Sequence, residues 1–282
     1  MLIYDNITSL QHQISLEKNN DNTIAFVPTM GNLHAGHLQL IQSAKEVAKI
    51  VICSIFVNVL QFGENEDFSS YPRTLDDDLK KLKALKCDIV FIPPSDLLTP
   101  LPKADHVTIS IPNLSTLHCG KTRPVFFDGI ATIVTKFFNI IQPNFAIFGE
   151  KDFQQLLLIK KIVNGLFLNI TIISVPTIRN DEGLALSSRN NYLSPSQQHQ
   201  ASIIYRTLVE LKTEIEQHKV HDFQSLQIQA IKKIEMGGLT VDYLSICHQN
   251  TLQPATAADK QLIILTACYL NDVRLIDNIK IK

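Results

Sequence analysis

The chain has 282 residues, 45% of them hydrophobic, enough for one large domain or two modest ones around a sizeable core. Its 26 basic and 27 acidic side chains leave a net charge of -1, so no basic field points to nucleic acid. The longest apolar run, around "IVICSIFV", is far too short to span a bilayer, and "MLIYDNITSL" lacks the basic and apolar regions of a signal peptide. Five cysteines (Cys53, Cys87, Cys119, Cys247 and Cys268) are odd in number, scattered and without a C-x-x-C. They fit reduced thiols in a cytoplasm better than a disulfide framework or a zinc site.

In chain order, the β-rich runs "TIAFVPT", "IVICSIFVN", "DIVFIPP", "VTISIP", "FAIFGE" and "TIISVPTIR" predict strands. Amphipathic patterns at 38–49, 75–86, 130–141 and 152–165 predict helices between them. Fully apolar strands alternating with helices imply a parallel sheet covered on both faces. The expected fold is a doubly wound, Rossmann-like α/β domain with its site at the carboxyl ends of the strands. Beyond about Gly183 the pattern changes. "LSPSQQHQ" reads as a helix start, with Ser194 as N-cap, Pro195 at the first position and Gln197 closing a capping box. A helical stretch to about His218 follows, then one over Phe223–Met236, then the runs "VDYLSICH", "LIILTACYL" and "VRLIDNI". The division expected is a domain over 1–182 and a smaller α+β domain over 183–282, with no repeats.

Four loops at predicted strand ends hold the residues that could do chemistry. In "FVPTMGNLHAGHLQLIQSAK", a strand ends at Pro28, Met30-Gly31 turns the chain, and a helix begins near His34. His34 and His37, at i and i+3, share one face of its first turn. There, free backbone N–H groups and the helix dipole would favour an anion, and Gly36 would let a ligand approach the backbone. A phosphate suits this position; a pair of ordinary surface or core histidines suits it equally. Metal fits poorly, since neither H-E-x-x-H nor a third ligand accompanies the pair.

"SIFVNVLQFGENEDFSSYPRT" leaves the second strand for a polar loop with Gln61, Gly63, Asn65, Glu66 and Asp67, where Gln61 could donate and accept to a hydroxyl- and carboxylate-rich substrate. Asp76, Asp77 and Asp78 open the next helix as dipole-stabilising acids or as holders of Mg²⁺ through water. In "FGEKDFQQLLLIKK", Gly149 ends a strand, Glu150, Lys151 and Asp152 form the turn, and Gln154 and Gln155 start a helix; Lys151 could pair with phosphate or be an ordinary charged turn residue. "LALSSRNNYLS" places Leu186, Ser187, Ser188 and Arg189 before the capped helix, as phosphate contacts or as a linker.

The blocks "PTMGNLHAGHLQLI", "IFVNVLQFG", "FNIIQPNFAIFGEKDFQQLLLIKKIV" and "GLALSSRNNYLS", in this order, resemble the pantoate–β-alanine ligase (pantothenate synthetase) family, across nearly the whole chain. The H-x-G-H element alone is shared with many nucleotidyl-transferring enzymes, so the alternative is a nucleotidyltransferase that keeps the nucleotide in its product. The resemblance implies the nucleotidyltransferase-superfamily type of Rossmann-like sheet and a two-step synthesis. Pantoate and ATP would give pantoyl adenylate and pyrophosphate; β-alanine would then release AMP and form pantothenate. Position by position, it implies that Met30, Gly31, Asn32, Leu33, His34, Ala35, Gly36 and His37 form the ATP-binding turn, with His37 as proton donor. Gly149, Glu150, Lys151 and Asp152, with Ile178, Leu186, Ser187, Ser188 and Arg189, would complete the ATP site. Gln61 and Gln155 would bind pantoate, Gln61 lying also near β-alanine, and Asp77 and Asp78 match acids associated with Mg²⁺. The loop after Gln61 would gate the site, and the C-terminal domain would act as a lid. The resemblance also implies a cytoplasmic homodimer. The chain departs from the family pattern at Ala35, at Val59, and in "RPVFFDG", where Val125, Phe126 and Asp128 stand; none of these removes a phosphate or pantoate contact.

Overall fold

A computed structural model describes residues 1–63, 66, 68–99 and 106–281. The elements run β1 (Leu2–Tyr4), α1 (Ile7–Asn19), β2 (Ile24–Thr29), α2 (Ala35–Val47), β3 (Ile50–Ile55), α3 (Leu75–Ala84), β4 (Ile89–Phe91) and the short α4 (Ser95–Leu98), α5 (Pro112–Ser115) and α6 (Cys119–Thr122). Then come α7 (Phe126–Ile141), β5 (Phe145–Gly149), α8 (Phe153–Gly165), β6 (Thr171–Val175), α9 (Pro195–Ala201), α10 (Ile203–Glu216), α11 (Phe223–Met236), β7 (Thr240–His248), β8 (Leu262–Leu270) and β9 (Val273–Ile281). The chain forms two compact units, Met1–Glu150 with Gln155–Pro176, and Lys151–Gln154 with Thr177–Lys282. Their boundary lies upstream of the expected division at 182/183, and the turn around Lys151 groups with the second unit.

The first unit is built on a parallel sheet of order β1-β4-β3-β2-β5-β6. Its strands are apolar on both faces because both are covered. On one face α2 packs over β2, β3 and β5, burying Leu40, Ile41 and Ala44 against Val27, Cys53 and Ile147. On the other, Phe137 of α7 lies 5.4 Å from Phe26, 6.1 Å from Phe56 and 6.2 Å from Phe91, one ring against β2, the end of β3 and β4. The chain runs outward from β2 through β3 to β4 and returns to place β5 on the other side of β2. The carboxyl ends of β2 and β5 therefore flank the switch point, where such sheets bind ligands.

The predicted run "VTISIP" forms no strand. Val107 is 73% exposed, and the Ile109 N–H donates to Thr132 Oγ1 of α7 at 2.9 Å rather than to a sheet. β-Branched residues favour a strand only where a neighbouring edge receives them. β1 and α1 were invisible as elements in the sequence; β1 is a short edge strand with Leu2 and Ile3 exposed. Asn65 and Asp67 lie outside the described residues.

In the second unit, β7, β8 and β9 form an antiparallel sheet in that order, with α10 packed on β9 and α11 on β7. The Ser194–Gln197 capping box forms as predicted, with Pro195 at the first helical position. The helical stretch to His218 is interrupted at Ser202, whose Oγ donates to the His199 carbonyl at 2.6 Å and separates α9 from α10.

One contact holds the turn after β2. Gly31 (φ +79°) and Asn32 (φ +48°) are both left-handed, which makes the turn sharp. Asp78, fully buried in the first turn of α3, accepts the N–H of Asn32 at 2.8 Å and of Leu33 at 2.7 Å, and the Thr74 hydroxyl at 3.2 Å. Lys81 donates to the Leu33 carbonyl at 2.7 Å, so α3 grips both poles of that residue. The Asp78→Ala variant leaves two buried N–H groups without acceptors, each costing about 1–3 kcal/mol. Urea unfolding should show a stability loss of that order, whereas Asp77→Ala, on an exposed carboxylate, should unfold like the parent protein.

All five cysteines are free and buried. Burial raises the Cys53 thiol well above its usual value, pushes Cys87 and Cys247 up to about 12, and Cys268 to about 11. Since the thiolate is the reactive form, the native protein at pH 8 should release almost no thionitrobenzoate from Ellman's reagent until denaturant is added.

Candidate functional site

The turn held by Asp78 delivers the chain to α2. His34 is its N-cap (φ -118°), and its Nδ1 accepts the Gly36 N–H at 3.1 Å. His37 closes the capping box from the other side: its Nδ1 takes the His34 N–H at 3.4 Å. The rings lie against each other with centroids 4.1 Å apart, tilted by 39°. Because each Nδ1 serves as an acceptor, each neutral ring carries its proton on Nε2. The backbone contacts thus favour the Nε2–H tautomer of both neutral imidazoles.

Four backbone N–H groups of this turn are engaged within the protein, those of Asn32 and Leu33 by Asp78 and those of His34 and Gly36 by imidazoles. Gly36 also has another purpose: a Cβ there would lie 2.8 Å from His34 Cε1 and 3.0 Å from Nδ1. A Cβ at this position would force the capping ring to shift. Ala35 makes no demand on this geometry beyond opening the helix.

At the carboxyl end of β3, Gln61 is buried, its Nε2 3.0 Å from the Met30 sulfur. Its Oε1 accepts from Asn58 Nδ2 at 3.1 Å, and the same amide nitrogen reaches the Gly129 carbonyl at 3.1 Å. Gly129 lets α7 approach so closely, because a Cβ would fall 2.3 Å from the Leu60 oxygen. Arg123 donates to the Gln61 carbonyl at 3.3 Å, pairs with Glu66 through two nitrogens, and lies 3.6 Å over the Phe126 ring. Asn58, Arg123 and Gly129 are thus positioning residues that reasoning from the sequence missed. Asn58 gave a signal, an Asx side chain at the mouth of a short turn, where it caps the Leu60 N–H. The departures in "RPVFFDG" have local roles: Phe126 supports Arg123, Asp128 accepts from Ser115 Oγ at 2.8 Å, and Val125 is exposed at the start of α7.

The acids grouped for Mg²⁺ do not converge. Asp78 is buried and its oxygens are engaged by the turn, whereas Asp77 is exposed, and Lys80 at 3.0 Å holds its carboxyl below the usual range. Among the described residues, no group of three or more His, Cys, Asp and Glu could hold a metal ion.

At the end of β5, a Cβ on Gly149 would meet no heavy atom within 4 Å, so its backbone faces open space. Glu150 accepts from Ser174 Oγ at 3.0 Å, and Gln155 is half-buried in the first turn of α8.

The second unit holds the remaining predicted residues. Lys151 and Asp152 sit in a 3₁₀ turn, both half-buried, and the Lys151 carbonyl accepts from Asn278 Nδ2 of β9 at 2.9 Å. Ile178 accepts the Leu186 N–H at 2.9 Å, and the neighbouring Arg179 bridges Ala185. Ser187 caps the following 3₁₀ turn by accepting the Arg189 N–H at 3.3 Å; Ser188 is buried and Arg189 half-buried.

The family model described as "Pantoate-beta-alanine ligase" matches residues 2–280. A pantothenate synthetase of Hahella chejuensis is 44% identical over 281 residues, covering 100% of this chain and 99% of that protein. The crystal structure of pantothenate synthetase from Thermus thermophilus superposes with a TM-score of 0.88 at 35% identity, covering 99% of each chain. That of a Francisella tularensis pantoate-β-alanine ligase, complexed with "Beta-gamma ATP and Beta-alanine", gives 0.81 at 35% identity over 99% of this chain and 97% of that one. No described helix is long and apolar enough to cross a membrane. A match running the length of both units, and not only through H-x-G-H, places this chain in the pantoate–β-alanine ligase family.

Proposed function

We propose that the protein condenses (R)-pantoate with β-alanine at the expense of ATP, through enzyme-bound pantoyl adenylate. The reading rests above all on the reciprocal His34–His37 cap, which holds two imidazoles together at the carboxyl end of β2. The bound nucleotide and β-alanine of the Francisella tularensis relative lend it support.

A carboxylate is a poor acyl donor until its oxygen becomes part of a good leaving group. In the first step a pantoate carboxylate oxygen attacks the α-phosphorus, the bond from that phosphorus to the bridging oxygen breaks, and pyrophosphate leaves. His34 and His37 donate hydrogen bonds from Nε2 to phosphate oxygens as charge accumulates, and His37, when charged, passes its proton to the departing pyrophosphate. Lys151 neutralises the same charge as a point cation. Gln61, held by Asn58, orients pantoate and meets β-alanine, and Gln155 holds pantoate from α8. Backbone and side chains of Met30–His37, Gly149–Asp152, Ile178 and Leu186–Arg189 form the ATP site. In the second step the β-alanine nitrogen attacks the acyl carbon, loses a proton, and displaces AMP. The loop after Gln61 acts as a gate, excluding water from the acyl-adenylate.

Mg²⁺ brought by the triphosphate would lend charge neutralisation there. Asp77 and Asp78 do not fit as its protein ligands, for the reasons given by their contacts, and no step is assigned to them. The protein works as a cytoplasmic homodimer, a location with which its five buried thiols agree. Nothing favours the nucleotidyltransferase alternative, which accounts for H-x-G-H alone.

With ¹⁸O in the pantoate carboxyl, mass spectrometry should find one label in the AMP formed along with pantothenate. Unlabelled AMP would overturn the proposed route. His37→Ala should lower turnover on the order of 10²-fold or more while circular dichroism and gel filtration stay those of the parent protein. Near-parental turnover would remove His37 from the mechanism.

A further inference from the structure

Within the second unit, two adjacent residues of β9 bind segments that the proposed function assigns to the nucleotide site. Asn278, 6% exposed, donates through Nδ2 to the Lys151 carbonyl at 2.9 Å. Asp277, 4% exposed, accepts both guanidinium nitrogens of Arg179, at 2.6 and 2.7 Å. Neighbours on a strand project to opposite faces, so one stretch of β9 can reach two separate segments.

Arg179 carries the contact further. It lies 3.6 Å over the Tyr205 ring, donates to the Gly183 carbonyl at 3.0 Å, and reaches back to the Asn278 carbonyl at 3.4 Å. Its own backbone bridges Ala185, and its neighbour Ile178 receives the Leu186 N–H at 2.9 Å. Asp277 Oδ1 also accepts the Asn278 N–H at 2.7 Å, which ties the two contacts together.

A buried ion pair is a poor route to bare stability, since apolar residues of similar volume often serve as well. What a fully bonded polar network supplies is one fixed backbone position. The bond takes the Lys151 carbonyl and does not itself occupy the ammonium.

We infer that Asn278 is a positioning residue for the first half-reaction, holding the Lys151 backbone so that its ammonium meets the nucleotide, with Asp277 and Arg179 fixing Asn278 in turn. The inference rests on the proposed function of Lys151. A positioning error of this kind slows the step that uses Lys151 and spares the step that does not.

The test separates the half-reactions in the full-length protein by rapid quench. Pantoate and MgATP alone report adenylate formation; β-alanine added to the preformed complex reports its consumption. The variants are Asn278→Ala and Asn278→Asp, the second keeping the shape but losing the donor. In both, adenylate formation should fall roughly ten- to a hundredfold. Adenylate consumption should stay within about twofold of the parent protein. The Lys151→Ala/Asn278→Ala double variant should be no slower than Lys151→Ala alone, since one residue acts through the other.

Equal loss in both half-reactions, accompanied by a lowered melting temperature, would mean that Asn278 only stabilises the unit, and the inference fails. Losses that multiply in the double variant also overturn it. A parent protein that forms no adenylate would instead refute the proposed function, a result distinct from either.

Discussion

The buried carboxylate of Asp78 holding the peptide N–H groups of Asn32 and Leu33 is the constraint on which the rest of the first unit's site depends. In the turn through left-handed Gly31 and Asn32, the N–H groups of Asn32 and Leu33 find their acceptors on one side chain from α3. With Lys81 on the adjoining carbonyl, the direction in which the chain enters α2 is fixed from outside. His34 and His37 can then cap that helix reciprocally, and their tautomers follow from the same contacts.

This arrangement divides the labour of anion binding in an unexpected way. Helix N-termini commonly bind phosphate through free peptide N–H groups. Here the protein's own acceptors occupy several of those groups, and the donors offered are imidazole Nε2–H. The same economy appears at Gln61, whose oxygen is committed to Asn58 while Gly129 clears space for the turn that carries it. In the second unit, the polar groups of Arg179, Asp277 and Asn278 are bonded to one another and to main-chain atoms.

Much of the fold was legible because it is written locally. Apolar runs revealed β2, β3, β4, β5 and β6, and the Ser194–Gln197 box marked the start of α9 to the residue. "VTISIP" misled because its composition suits a strand, while strand formation also needs a partner edge. The break at Ser202 escaped notice because a serine within a helical pattern is compatible with either outcome. In the site, the histidine pair was visible from its spacing. The contacts of Gly36 and Asp78 were not: the glycine reads as room for a ligand, and the acid as a helix-dipole acid or a holder of Mg²⁺. One accommodates the His34 ring and the other braces a turn.

From the sequence by itself came the parallel α/β class, a smaller α+β C-terminal part, the capped helix at Ser194 and the ordered motifs that resemble the family. All of these rest on periodicity or on residues within a few positions of one another. Only the tertiary structure decided that Asp78 serves the turn 45 residues before it, and that Asn278 holds the carbonyl of Lys151, 127 residues away. Such bonds depend on which elements pack side by side, and hydrophobic patterning carries no record of that choice for a single buried polar group.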